Sequence, residues 1–202
     1  MSAVDVIEVT QTILREREGR DRGLWQQMLD AFAPEASVRL SWYRGDAAGF
    51  VAGSERMSGS GDPAVHRLSP PVVHARGDRA TAEVSSAVEL QVRIDDVPAH
   101  LISYTRLNYR LERRDGAWVI VQMDAVYERD TLTPAIPGDQ VRVSRSSVLD
   151  ARPSYALLSF YLASKGYDIR DDLLGDDRPA AVADFYADMR AWLEGQDPDA
   201  HE

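Results

Sequence analysis

A period-two alternation of small and apolar residues fills the middle of this 202-residue chain, from Arg79 to Ile94. The alternating positions are Ala80, Ala82, Val84, Ser86, Val88, Leu90, Val92 and Ile94. This pattern predicts a strand with one buried, concave face, from which Glu83 and Glu89 point away. Residues 101–113 and 118–127 have a similar character and are separated by a short Arg-Asp-Gly turn. The segment therefore predicts an antiparallel meander, and strands of this length curl strongly enough to enclose a pocket.

Apolar residues at helical spacing precede the meander. We expect a first helix over residues 3 to about 18, ended by Gly19, and a second helix that begins near Asp21. A strand is expected at residues 36–42, directly after an Ala-Pro pair that ends the second helix. A third helix is expected from residue 46 to about residue 56.

These elements predict an α+β fold, in which a curved antiparallel sheet wraps around the N-terminal helices and forms a conical pocket. We expect this domain to occupy residues 1–130. The Ser-Gly-Ser-Gly-Asp-Pro segment at 58–63 predicts a flexible linker, since it lacks the lysine of a phosphate loop. Apolar residues at helical spacing recur around Phe160 and Phe185. They predict a helical C-terminal extension, residues 131–202, that packs on the core or on a partner subunit.

Composition and charge argue against several kinds of partner. A formal charge of -10 and a pI near 4.9 predict that neither nucleic acid nor a membrane is bound, because both require a basic face. The N-terminus lacks the basic and apolar regions of a secretion signal, and no apolar run approaches the roughly 20 residues of a membrane span. We therefore expect a cytoplasmic protein. With no cysteine, no histidine pair at metal-site spacing and no dinucleotide motif, we expect neither a metal nor a cofactor.

The order of several short motifs resembles that of a known family. The motifs are RDRGLWQQMLDAFAP, VHRL, GDRATAEV and DGAWVIVQMD. Over residues 3–130 this order is similar to the SnoaL-like branch of the nuclear-transport-factor-2-like superfamily, which includes polyketide cyclases, scytalone dehydratase, ketosteroid isomerase and small subunits of ring-hydroxylating dioxygenases. The resemblance implies a conical, mostly apolar pocket and a homodimer that pairs through the outer face of the sheet. Fold analogy alone does not fix the function.

Two residues carry the chemistry that the resemblance implies. Asp21 aligns with an aspartate that many of these pockets place at the start of the second helix, where it orients a histidine or a water. Asp21 is equally suited to cap that helix. His66 opens a strand at the position of a catalytic histidine in dehydratase-like members, although a histidine there is also a common packing residue. As a pair, aspartate would fix the histidine tautomer while the imidazole removes a proton next to a carbonyl.

Other expected site residues come from the strands and helices around this pair. Tyr43 is a candidate proton donor, and Asp124 is a candidate second acid or base. Val84 and Leu107 stand where scytalone dehydratase has its second histidine and its amide residue, so that exact activity is not implied. The expected substrate-binding residues are Trp25, Trp42, Phe50, Val84, Ser86, Leu107 and Tyr109.

The sequence thus predicts a cofactor-free lyase, isomerase or cyclase that transfers protons on a small, largely apolar carbonyl compound. Two alternatives remain open. The same pocket could hold a hydrophobic metabolite without chemistry, or the chain could be the small, non-catalytic subunit of a ring-hydroxylating oxygenase.

Overall fold

A computed structural model describes residues 2–59 and 64–196 of the chain. The N-terminal part of the chain contains three helices, α1 (Ala3–Arg22), α2 (Trp25–Asp30) and α3 (Ala47–Ser58), and the first two strands lie between α2 and α3. Helix α1 begins with a capping box, in which Ser2 and Asp5 satisfy each other's backbone N–H groups. Helix α3 is capped by Asp46, whose carboxylate accepts a hydrogen bond from the Gly49 N–H group. Most of the segment expected to be a linker, residues 60–63, lies outside the described residues.

The first helix is longer than expected, and this moves Asp21. Helix α1 continues through Gly19 to Arg22 and ends at Gly23, which adopts the left-handed conformation with φ 71°. Gly19 does not break the helix; it allows α2 to pack closely, because a Cβ atom there would lie 2.8 Å from the Met28 nitrogen. Asp21 therefore lies in the last turn of α1. The expectation that it caps the second helix is wrong, since Leu24 occupies that N-cap position.

The described sheet has eight strands. They are β1 (Phe32–Arg39), β2 (Arg44–Asp46), β3 (Ala64–Leu68), β4 (Val72–Arg76), β5 (Arg79–Ile94), β6 (Val97–Arg114), β7 (Ala117–Pro134) and β8 (Leu174–Gly175). The order is β2-β1-β7-β6-β5-β3, with β4 also on β5 and β8 on β7. The predicted meander is confirmed as β5, β6 and β7. The sheet is mixed rather than wholly antiparallel, because β1 and β8 both run parallel to β7.

The register of β5 agrees with the alternation read from the sequence. Ala82, Val84 and Ser86 are at most 5% exposed, and they face the helices together with Val88. Ser85 is exposed on the opposite face. The concave side of the sheet is therefore lined by the small and apolar residues of this strand.

Two bulges in β7 change which of its residues face inward. Leu111 pairs with Ile120 but Arg110 pairs with Gln122, so Val121 is an extra residue. Thr105 pairs with Tyr127 but Tyr104 pairs with Arg129, so Glu128 is a second one. Each bulge shifts the period-two pattern by one position. The inward residues of β7 are therefore Trp118, Ile120, Met123, Ala125, Tyr127 and Asp130.

The C-terminal segment contacts both faces of the sheet. It contains α4 (Arg145–Val148), a 3-10 turn (Pro153–Tyr155), α5 (Ala156–Ser164), β8 and α6 (Pro179–Leu193). Helix α5 closes the concave side, whereas α6 packs its buried residues Val182, Phe185, Met189 and Trp192 near the outer face. Strand β7 extends to Pro134, beyond the boundary expected at residue 130. Within the described residues, no helix is both long enough and apolar enough to span a bilayer.

Candidate active site

A cavity of about 70 Å³ lies between the concave face of the sheet and helices α1, α3 and α5. Its walls are mostly apolar and include Leu40, Trp42, Phe50, Leu107 and Leu158. Polar side chains of α1, β3 and β6 interrupt this lining. Because ligand pockets usually measure about 300–1,000 Å³, a cavity of this size takes a small ligand or opens when it binds.

Asp21 and His66 form a hydrogen-bonded pair at one side of this cavity. The Nδ1 atom of His66 lies 2.6 Å from Oδ1 of Asp21, and the backbone N–H of His66 donates to Oδ2 at 2.8 Å. The two side chains are 14% and 9% exposed for Asp21 and His66, respectively. Asp21 comes from the last turn of α1, and His66 lines the cavity from β3.

Arg17 fixes the other ring nitrogen of His66. Its Nη1 atom lies 3.3 Å from Nε2 of His66. A guanidinium group can only donate, so Nε2 accepts and the proton of the neutral ring sits on Nδ1, facing Asp21. Burial lowers the pKa of His66, the hydrogen bond to Asp21 opposes this, and the Arg17 charge adds to the lowering. His66 is therefore a neutral imidazole at pH 7.

The carboxylate of Asp21 is ionised beside this imidazole. Burial alone would raise the pKa of Asp21, but the hydrogen bonds from His66 hold it below its ordinary value. Arg17 is itself neutralised by Glu16, which accepts two hydrogen bonds from the guanidinium group. Glu16 and Arg17 are 0% and 3% exposed, so this ion pair is fully inside the protein. The site therefore combines a neutral base, His66, with a buried cation, Arg17, that is held in place by its ion pair with Glu16.

Arg20 also lines the cavity and is 7% exposed. Its Nη2 atom contacts the Met57 sulfur at 3.4 Å. Within residues 2–59 and 64–196, no carboxylate forms an ion pair with it. Burial and the nearby Arg17 charge lower the pKa of Arg20, whereas Asp21 and Glu16 partly offset them.

The structure places only some of the expected substrate-binding residues on the cavity. Trp42, Phe50 and Leu107 line it. Val84, Ser86 and Tyr109 are buried on the same face of the sheet but are not part of the cavity wall. Trp25 packs against the hydrophobic core from α2 and does not reach the cavity either.

Tyr43 lies outside the cavity wall. Its ring stacks on Trp42 and Phe50, with centroids 5.7 and 5.6 Å away, and its hydroxyl donates to the Asp46 carbonyl at 2.8 Å. It borders a separate cleft with Arg44 and Asp168. Tyr43 therefore packs against the aromatic side chains of the cavity wall and does not place its hydroxyl, as a proton donor, in the cavity.

Asp124 faces away from the cavity, which corrects the expectation of a second acid or base there. Its carboxylate accepts hydrogen bonds from Arg39 at 2.7 Å and from Gln122 at 2.6 Å. It lies opposite Asn108 on the outer face, whereas the cavity residue Leu107 lies opposite Ala125. The bulge at Val121 is the physical reason, because counting in twos from Trp118 without it would place Asp124 inside.

Asp130 is the inward-facing acid of β7, and the sequence reading did not select it. It lies opposite the cavity residue Ser103, and its Oδ2 atom accepts a hydrogen bond from the Leu158 N–H of α5 at 2.9 Å. Its Oδ1 atom is buried without a hydrogen-bond partner among the described residues. Burial raises the pKa of Asp130 to about 6. This carboxylate therefore connects the sheet to the helix that closes the cavity.

Arg17 and Arg20 were also missed, although the sequence contains a signal for them. Val9 and Ile13 lie on the buried face of α1. Arg17 and Arg20 follow Ile13 by four and seven residues, the spacings that place side chains on the same face of a helix. Charged residues on an apolar helical stripe need a partner or a function. Among the described residues, no three His, Asp or Glu side chains are grouped as metal ligands, and the absence of a cofactor stays a prediction.

Comparison with known proteins agrees with this architecture. The profile of the SnoaL-like domain family matches residues 2–124. A PEP2-like protein of Fusarium vanettenii is 22% identical over 187 residues, covering 88% of this chain and 80% of that protein.

Two solved structures from Novosphingobium aromaticivorans also superpose. One, provisionally assigned as a scytalone dehydratase, gives a TM-score of 0.53 at 13% identity and covers 70% of this chain and 95% of its own. The other, provisionally assigned as an aromatic ring hydroxylase, gives 0.52 at 15% identity, with 68% and 93% covered. At these identities the likeness shows the fold alone. Since the family profile matches more than half of the residues, the chain belongs to the SnoaL-like domain family.

Proposed function

We propose that the protein is a cofactor-free enzyme, a lyase, isomerase or cyclase that transfers protons on a small, largely apolar carbonyl compound. The observation that carries this proposal is the orientation of His66. Its Nδ1–H group is directed to Asp21, so its lone pair is on Nε2, which accepts a hydrogen bond from Arg17, another residue of the cavity wall. A neutral imidazole held in this way is a suitable general base.

In the proposed reaction, Nε2 of His66 takes a proton from the carbon next to the substrate carbonyl. Asp21 stabilises the imidazolium that forms, as a buried carboxylate at Nδ1 does in other general-base pairs. Arg17 donates to Nε2 over a long 3.3 Å contact, which a substrate can replace without large cost. The Nη1 group of Arg17 then donates to the carbonyl oxygen and stabilises its developing negative charge, while the rest of the guanidinium stays paired with Glu16.

Hydrogen exchange at carbon tests this proposal without knowledge of the natural substrate. Small cyclic and aromatic ketones are incubated with the protein in D₂O, and loss of the α-proton signal is followed by NMR. We expect wild type to accelerate exchange for at least one ketone, and His66→Gln to lower that rate by about 100-fold to 10,000-fold. His74→Gln is the matched control, since His74 is exposed on β4. Equal rates for wild type and His66→Gln would reject the proposal.

A second candidate role is supported by the solved neighbour that is provisionally assigned as an aromatic ring hydroxylase. In that role the chain would be a non-catalytic oxygenase subunit. Such a subunit should co-purify from its native cells with a larger iron-containing protein, whereas a free-standing enzyme or a binding protein should not. Purification through a tag, followed by iron analysis, separates the two.

We also propose that the chain forms a homodimer through the outer face of the sheet. Helix α6 contacts this face through Tyr186, which hydrogen-bonds Glu83 and Arg106. Beyond it, Tyr104 and Arg129 stack on the same face. A dimer would therefore use the area beside α6. Light scattering at several protein concentrations measures the mass, and a monomer throughout would reject this proposal.

A further inference from the structure

Arg20 differs from the other buried arginines of the described chain. Three arginines are at most 8% exposed there, namely Arg17, Arg20 and Arg152. Arg17 pairs with Glu16, and Arg152 donates two 2.6 Å hydrogen bonds to Asp177. Arg20 instead contacts the sulfur of Met57, which is a weak acceptor. A buried cation without an anionic partner is costly, so its presence requires an explanation.

The nearby carboxylates are already occupied. Both oxygens of Glu16 accept from Arg17. The oxygens of Asp21 accept from the ring and from the backbone N–H of His66. The negative charges of Asp21 and Glu16 therefore favour the protonated form of Arg20, but neither carboxylate forms a hydrogen bond with it. Among residues 2–59 and 64–196, no carboxylate takes up the donors of Arg20, so they are available to the acceptor of a ligand.

The free donors belong to the cavity that also contains His66. Arg20, Met57 and His66 all line it, and the opposite walls are the apolar side chains of Trp42 and Leu107. An anion held by Arg20 would therefore place an attached apolar group inside the cavity, beside the imidazole. In its present shape, a cavity of about 70 Å³ accommodates only a small group.

One more buried polar group in the cavity lacks a partner. The hydroxyl of Thr105 lines it and has no hydrogen-bond partner within the described ranges. Thr105 is 3% exposed. A ligand with a second oxygen atom, away from its anionic group, would satisfy this hydroxyl.

From these contacts we infer that the substrate is a small organic anion whose carboxylate pairs with Arg20. This inference rests on the proposed function insofar as it takes the cavity to be the substrate site. It changes the expected substrate from an apolar carbonyl compound to an amphipathic one, with a carboxylate at Arg20 and a short body against the apolar walls. The guanidinium fork matches the two oxygens of a carboxylate.

Matched pairs of acids and amides test the inference. Calorimetric titrations at low salt compare formate, propionate and benzoate with formamide, propionamide and benzamide. At least one acid should bind wild type about 10-fold to 100-fold more tightly than its amide, because charge-assisted hydrogen bonds are the strong ones. Arg20→Met should remove this preference. Arg22→Met should keep it, since Arg22 is 72% exposed at the end of the same helix.

A second measurement covers the case in which Arg20→Met does not fold. In wild type, the Nε–Hε NMR signal of Arg20 should shift with the acid and not with the amide. The inference is overturned if no acid binds, if acid and amide bind alike, or if folded Arg20→Met keeps the preference.

The proposed function fails separately from this inference. His66→Gln should retain the preference for acids while it loses hydrogen exchange. Acid binding without exchange in wild type would reject the catalytic proposal and leave the anion site standing. Hydrogen exchange without any preference for acids would reject the anion site and leave the catalytic proposal standing.

Discussion

Asp21 and His66 are 45 residues apart in the sequence, yet their side chains meet at 2.6 Å. The contact exists because α1 continues one turn past Gly19, which brings Asp21 alongside β3. Asp21 has no helix to cap at this position. Its carboxylate instead accepts two hydrogen bonds from His66, one from the ring and one from the backbone N–H group.

This pair predicts an unusual, measurable state of the imidazole. At pH 7 the proton of His66 should be on Nδ1, because Arg17 donates to Nε2. Long-range ¹H–¹⁵N NMR spectra distinguish the two tautomers. Asp21→Asn should weaken this preference and reduce turnover by about 10-fold or more, because the imidazolium loses its carboxylate. A single ring proton on Nε2 in wild type would contradict the assignment.

The pH dependence of activity follows from the lowered pKa of His66. The base must be neutral, so kcat/KM falls when the pH drops through the pKa of His66 in the free enzyme. Because burial and Arg17 lower this pKa, the acid limb of the profile should lie below pH 6.5, the ordinary value. In Asp21→Asn the limb should move lower still, since the carboxylate raises the pKa. A limb at or above pH 6.5 in wild type would contradict this prediction.

Asp130 should make the protein less stable as the pH rises. Its folded pKa of about 6 is above the ordinary 3.8, so the folded state binds more protons between these values and the free energy of unfolding falls with rising pH. Above pH 6 the cost is constant and amounts to about 2–3 kcal/mol. Asp130→Asn keeps an acceptor for the Leu158 N–H and should therefore be more stable than wild type at pH 7.

Urea unfolding at several pH values measures this effect. The difference between Asp130→Asn and wild type should be small near pH 4 and largest above pH 6. The variant comparison isolates Asp130 from His66, whose lowered pKa has the opposite effect on stability below pH 6.5. A constant difference across the range would mean that Asp130 does not titrate as stated.

Helix α6 should contribute to the stability of the whole chain. Phe185 and Trp192 are each 7% exposed, and Arg79 stacks on the Trp192 ring at 5.0 Å. Replacement of either aromatic residue by Ala should lower the free energy of unfolding by about 3–5 kcal/mol. Leu149→Ala is the control, because Leu149 is 63% exposed. Unchanged unfolding of the α6 variants would show that the helix is dispensable.

The point variants are a cleaner test than a shortened chain. A chain that ends at Tyr127 would lose α6 together with the last part of β7, which runs to Pro134. Exposed apolar surface and lower stability or solubility are expected for it as well. That result alone would not separate the helix from the strand.

The sequence predicted the meander well because its information is local. The alternation in β5 and the Arg-Asp-Gly turn determine face and direction without knowledge of distant residues. The pairing of β7 on its other side could not be predicted in this way. There β7 pairs in parallel with β1, which is distant in the sequence, and no local pattern in Phe32–Arg39 specifies that pairing.

The site was predicted less completely, for two physical reasons. Bulges shift the strand period without a reliable sequence mark, so Asp124 was placed inside and Asp130 was overlooked. The helical interpretation followed apolar residues only, so the inward-facing Arg17 and Arg20 were not considered. By contrast, His66 and Asp21 were found through their resemblance to a family, and their contact depends on where α1 ends.

The wall that α5 forms has a consequence for how a molecule enters. Leu158 and Leu162 reach the cavity from a segment that follows all three meander strands in the chain. Without α5, the sheet and the first helices would leave this side of the cavity open. In the unfolded chain this wall does not exist, so a ligand that is present during refolding is enclosed without having to pass α5. Chains refolded together with a ligand should therefore contain more bound ligand than folded protein soaked briefly at the same ligand concentration.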